Sequence, residues 1–149
     1  MEPVANRPLV IRIILAYLAL QSLQLGVWAL FAPRSFYDGF PGFGRTWVAI
    51  DGPYNEHLVR DVGALNLALL VVLAAAAITL SRQLIVVASL AAMTWGVPHL
   101  VYHLFNTDGL SSSDVVASIG GLFVFAVLPI VAIIASGGST TSTAAASEG

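Results

Sequence analysis

The sequence predicts an all-α protein: a four-helix transmembrane bundle of two antiparallel hairpins, with an aromatic interfacial segment between the first and second helices. Three observations carry this expectation. Of 149 residues, 58% are hydrophobic and only 9% charged, whereas a soluble domain carries roughly a quarter charged residues. The apolar residues fall in four continuous blocks, each near the roughly 20 residues that one helical crossing needs. The blocks are Ala- and Leu-rich rather than alternating, which excludes the period-two pattern of a transmembrane barrel.

The same composition excludes several function classes. A net charge of -2, with six Arg, no Lys and no basic run, leaves nothing to neutralise phosphates, so nucleic acid is not a partner. The absence of Cys removes disulfides, thiolate metal sites and thiol catalysis. No nucleophile elbow, P-loop or dinucleotide fingerprint is present.

The first block runs from about 9 to 31. It is too long for the apolar core of a signal peptide, and Gln21 and Gln24 fall where such a core is most apolar. It is read as a retained helix, with Arg12 reaching the headgroups. Residues 32–55 follow, with Gly39, Pro41, Gly42, Gly44, Gly52 and Pro53 ruling out one continuous helix. Phe36, Tyr37, Phe40, Phe43, Trp47 and Tyr54 make this segment too aromatic for a free solvent loop. Such rings concentrate at the membrane–water boundary. Short helices are expected around Arg34–Tyr37 and Arg45–Ile50.

The second helix is expected over about 56–80, capped by Asn55 or Asp51. Ser81 and Arg82 make a short turn into the third, about 83–105. A polar loop, NTDGLSSSD, ends in Ser111 and Asp114, which approximate a capping box. The fourth helix is expected over about 115–135. Residues 136–149 are Gly-, Ser-, Thr- and Ala-rich and are expected to be a disordered tail.

Four crossings put both termini on one side, with Arg7, Arg12 and Arg82; the other side holds Arg34, Arg45 and Arg60. Arg82 lies in the shortest loop, where the positive-inside rule counts most. Both termini are therefore placed in the cytoplasm of a plasma-membrane protein, and the aromatic segment faces outward.

The ionisable residues are few and gathered. Each costs roughly 2.5–3.5 kcal/mol at the centre of a membrane helix, so those present are expected to find partners. The second helix opens with Glu56, His57, Arg60 and Asp61; the third ends with Pro98, His99, Tyr102 and His103. Antiparallel packing brings these two ends together. Glu56 with Arg60, His57 with Asp61, and His99 with His103 are each four apart, on shared helix faces. Pro98 removes a backbone donor beside the His pair.

Two readings follow. In one, His99, His103, His57 and Asp61 bind a transition metal (Zn, Fe or Cu), with Glu56 nearby, Arg60 balancing charge and Tyr102 beside them. Variants of it use the histidines as haem ligands, or the polar pocket for a small polar ligand. In the other, the cluster is a hydrogen-bonded plug that fixes helix register in a structural or accessory subunit of a larger membrane complex, its partners being the bilayer and other membrane proteins. Asn66, with Gln21 and Gln24, is assigned to interhelical hydrogen bonding. No catalytic residue is assigned, and an enzyme is the less favoured outcome.

The runs FAPRSFYDGFPGFGRTW, GPYNEHLVRDVGALNLAL and VPHLVYHLFN resemble a family of small four-helix membrane proteins found widely in actinobacteria. That family is similar in general architecture to DoxX-like membrane proteins. The resemblance covers most of the chain and implies the four-helix topology. By analogy of fold it implies a redox-accessory role, and it carries no catalytic residue onto this sequence.

Overall fold

The computed structural model describes residues 6–137. The chain order is α1 (Arg7–Phe31), α2 (Pro33–Gly39), β1 (Pro41–Gly42), β2 (Arg45–Thr46), α3 (Glu56–Thr79), α4 (Arg82–Phe105) and α5 (Ser112–Ser136). Over the described residues the protein is all-helical apart from the small β1–β2 ribbon. Four helices, α1, α3, α4 and α5, are long and apolar enough to cross a bilayer. Residues 138–149 of the expected tail lie outside the described residues; Ser136 still belongs to α5.

Local chemistry sets the helix ends. Pro8 occupies the first turn of α1, where a missing N–H costs nothing. Pro33 disfavours helical backbone at Ala32, whose φ of -134° and ψ of 58° break the chain there before it restarts as α2. The side chain of Asn55 accepts from Leu58 N at 3.1 Å and starts α3. Ser81 accepts from Leu84 N at 3.3 Å and starts α4. Ser111 does the same for Asp114 N at 3.2 Å, so α5 begins at Ser112, ahead of the expected Val115. α4 runs on through Pro98, and α5 through Pro129.

The helix expected around Arg45–Ile50 does not form. Gly42, Phe43 and Gly44 all have left-handed φ, at 103°, 58° and 73°. This reverses the chain tightly, a conformation that glycine favours on both sides of Phe43. Arg45–Thr46 then pairs antiparallel with Pro41–Gly42, Pro41 opposite Thr46. Trp47 N donates to Phe40 O at 2.8 Å and the Thr46 hydroxyl to Asp38 O at 3.0 Å. Phe43, at the ribbon tip, is fully exposed.

The main core draws on all four long helices, with Leu15, Leu18, Leu73 and Ile85 among its deepest side chains. α1 packs on α3 and α4 on α5, while α3 also meets α4 and α1 meets α5. The α1–α3 seam is very close. A Cβ built on Gly63 would lie 2.4 Å from the backbone N of Leu30, and one on Gly26 2.7 Å from Leu67. Polar bonds tie both ends of the seam: Arg12 Nε donates to Ala77 O at 3.1 Å, and Arg60 donates to Leu30 O.

A second, smaller core joins Ala29, Phe36 and Val59, with Trp28, Phe40, Val48 and Tyr54 packed against it. It seats the aromatic segment on the ends of α1 and α3. The segment is also tied to α5: Arg45 donates to Asp114 Oδ1 at 2.6 Å and Trp47 Nε1 to the same oxygen at 2.9 Å. Ser111 donates to the other carboxylate oxygen at 2.6 Å.

Two outcomes test this packing. Gly63→Ala forces a methyl into the Leu30 backbone, and unfolding in detergent is expected to lose about 1–3 kcal/mol of stability. Gly120→Ala meets nothing within 4 Å and is expected to show no loss. Asp114→Ala removes the acceptor shared by Arg45 and Trp47, so backbone amides of residues 41–51 are expected to exchange several-fold faster in hydrogen-exchange mass spectrometry.

Candidate functional site

A cavity of about 450 Å³ lies among the four long helices, beneath the aromatic segment. Its size falls in the roughly 300–1,000 Å³ range of small-molecule sites. Phe36, Phe40, Pro41, Trp47 and Val48 roof it. α3 contributes Leu58, Val59, Val62 and Asn66; α4 contributes Trp95, His99 and His103. α1 supplies Tyr17, Gln21, Ser22, Gln24 and Leu25, and α5 supplies Ala117, Ser118, Gly121, Leu122 and Phe125.

Helical periodicity places these groups. Ser22 lies on the buried stripe of α1, four residues beyond Leu18 and four before Gly26. Ser118 begins the corresponding stripe of α5, ahead of Phe125. On α4 the ring column runs Trp95, His99, His103 at one residue per turn. Trp95 and His99 stack with centroids 4.8 Å apart and planes 21° apart. His99 and His103 meet edge-to-face at 4.8 Å. Phe125 closes the column from α5, 5.3 Å from Trp95.

Two residues of the lining also carry buried polar atoms without a partner. Ser22, 1% exposed, has no partner for its hydroxyl, and neither does the buried Nδ1 of His103. Buried polar groups are ordinarily paired, and an unpaired one costs about 1–3 kcal/mol. Ser89 is also unpartnered but does not line the cavity. Asn66 is 2% exposed and donates to Val62 O in its own helix at 2.9 Å. The interhelical bonding expected of Asn66 is thus replaced, on its donor side, by an intrahelical bond, while Gln21 and Gln24 join it in lining the cavity.

The expected polar cluster divides. His99 and His103 line the cavity; Glu56, His57, Arg60, Asp61 and Tyr102 do not. The two ion pairs on α3 form as their spacing requires: Arg60 with Glu56 at 2.8 Å, and His57 with Asp61 at 3.0 Å. They point outward, with the His57 side chain 86% and Asp61 57% exposed. Tyr102 is exposed and lies edge-to-face with His103 at 5.3 Å. The set of His57, His99, His103 and Asp61 is therefore not assembled. Among the described residues no group of three or more His, Asp or Glu side chains is placed to hold a metal ion. Four-apart spacing correctly puts side chains on one face, but it does not say which way that face turns.

Sequence reasoning missed Ser22 and Ser118 as parts of a site. The available signal for Ser22 was its register with Leu15, Leu18 and Gly26. Outside the bundle, Arg34 pairs with Asp38 at 2.7 Å and lies over the rings of Tyr37 and Tyr54. The hydrogen bond to Asp38 raises the Arg34 pKa above its usual value, and burial pushes the Tyr54 phenol up. Tyr37 donates to Gly52 O, closing the segment on itself.

The cavity can thus accept a molecule that is mostly apolar and carries a few hydrogen-bonding groups. Comparison with protein-family models, with curated proteins and with solved structures finds no match for this chain.

Proposed function

We propose that the protein is a small multi-pass membrane protein that binds an organic molecule in the roofed cavity between its helices. The observation that carries this is the cavity itself, about 450 Å³ across four helices, with apolar walls and uncharged polar side chains such as Gln21, Gln24, Asn66 and Ser118 in its lining. Ligand sites have this make-up: apolar walls and a few polar groups that fix orientation. The reading keeps the expected pocket at the end of α4 but replaces the α3 charges with Ser22, Asn66 and Ser118 as its polar lining. A metal centre lacks an assembled ligand set among the described residues.

In this reading the four long helices form two antiparallel hairpins in the plasma membrane. The pairing of Arg12 with Ala77 and of Arg60 with Leu30 supports opposite directions for α1 and α3. The Ser81 turn supports the same for α3 and α4. Arg82 at that turn supports a cytoplasmic location for it and for both termini. The general architecture is then of the DoxX-like kind.

Protein purified in mild detergent without a His tag is expected to yield, on solvent extraction and mass spectrometry, one small molecule enriched over the membrane extract. His103→Leu should lower its occupancy several-fold, and Ser118→Leu, which fills the cavity, should lower it further. Folded wild-type protein with no enriched molecule would sink the reading. Stoichiometric Zn, Fe or Cu lost in His99→Ala/His103→Ala would replace it with a metal site.

The orientation is checked on the Cys-free background. A single Cys at Ser112 is expected to react with an impermeant maleimide from outside the cell, and one at Gln83 only after permeabilisation. The reverse labelling inverts the topology.

A further inference from the structure

We infer that the cavity takes a neutral amphipathic molecule dissolved in the bilayer, with one hydrogen-bonding head and a hydrocarbon body, admitted sideways between α1 and α5. This rests on the ligand-binding reading above and adds the class of ligand and its route.

The lining fixes the class. Its polar side chains include Gln21, Ser22, Gln24, Asn66 and Ser118, all uncharged, besides the imidazoles of α4. No arginine lines the cavity, and the one carboxylate, Asp51, belongs to the roofing segment. Arg45 is engaged with Asp114 and Arg60 with Glu56 and Leu30 O. An anionic head would therefore enter a low-dielectric site with no cation to meet it, and burying an unpaired charge is far costlier than burying a hydroxyl. A hydroxyl or ketone head can instead bond to one of the uncharged polar side chains of the lining, such as the amides of Gln21 and Gln24, which are exposed. The hydrocarbon body matches walls made of Leu25, Val59, Val62, Leu122 and Phe125.

The route follows from which wall is incomplete. Above, the aromatic segment is seated on its own small core and tied to Asp114. On the flank, α1 and α5 supply Ile11–Ala19 and Phe125–Ala132 to the main core, but face the cavity with residues 17–25 and 117–125. Several of these cavity residues are themselves exposed: Tyr17, Gln21 and Gln24 on α1, Ala117 and Gly121 on α5. A Cβ added at Gly120 or Gly121 would meet nothing within 4 Å. The cavity therefore opens between two helices that are each apolar enough to cross a bilayer. Exposed Leu20, Leu23, Val116 and Phe123 lie on the same two helices. Two glutamines on a lipid-facing flank are costly without a partner; at this mouth their amides can receive the passing head group.

The test uses the cavity's own fluorophores. Trp47 and Trp95 line it and Trp28 does not, so Trp28→Phe protein is reconstituted in phosphatidylcholine vesicles. Three brominated quenchers are compared: a long-chain alcohol confined to the bilayer, the matching long-chain carboxylate, and a short water-soluble alcohol. The long-chain alcohol is expected to quench saturably, to be displaced by its unbrominated form, and to lose most of this effect in Gly121→Phe, with Ala117→Phe as a second blocking variant. The carboxylate should quench only in proportion to its bilayer concentration. Saturable quenching by the short alcohol alone, indifferent to both blocking variants, would mean filling from water; the lateral route would fall while the ligand-binding reading stood. Equal saturable quenching by carboxylate and alcohol would overturn the neutral class. No saturable quenching by any probe would remove both readings.

Discussion

Helices in lipid gain little from hiding apolar surface from one another, because the tails around them are equally apolar. What holds them is close contact, and the α1–α3 seam supplies it. Gly63 lets α3 approach until its missing Cβ would overlap the Leu30 backbone, and Gly26 does the same opposite Leu67. That approach lets Arg60 reach the carbonyl of Leu30, and it lets Arg12 reach Ala77 at the other end. With the seam fixed, the end of α1 and the start of α3 form one platform. The aromatic segment is built on that platform, with Phe36 resting between Ala29 and Val59. The cavity lies beside this seam, walled by all four long helices and roofed by the aromatic segment.

Polar groups do a different task at each depth. At the roof level, Asp114 is saturated by Arg45, Trp47 and Ser111. At the exposed start of α3, Glu56–Arg60 and His57–Asp61 are pairs in contact with solvent, worth little individually. Among the residues that line the cavity, Ser22 Oγ and His103 Nδ1 are buried without a partner. Ser89, away from the cavity, is likewise unpartnered, whereas Asn66 and Ser118 bond to carbonyls of their own helices.

Much of the frame was legible because it follows from local rules. Continuous apolar blocks have only one economical form in lipid, and Asn55 and Ser111 announce helix starts by the chemistry of their side chains. The ribbon was not legible, since Arg45–Ile50 carries no strand pattern; it is imposed by the Gly42–Phe43–Gly44 turn upstream. The site was half legible. His99 and His103 stand out as rare residues at helical spacing. The role given to His57 and Asp61 depended on how far α3 is rotated about its axis, which the Gly63 contact decides and spacing alone does not. Ser22 and Ser118 are inconspicuous because a lone serine in an apolar helix is ordinarily bonded to its own backbone, as Ser118 is to Val115 O at 3.2 Å. Only the neighbouring walls reveal that Ser22 is not.

The double tie from Arg45 and Trp47 to Asp114 also has a mechanical side. Asp114 sits in the first turn of α5, one wall of the cavity, while Arg45 and Trp47 belong to the segment that roofs it. Roof and wall are thus joined at one carboxylate. If α5 swings outward, it must carry the ribbon with it or tear both bonds at once.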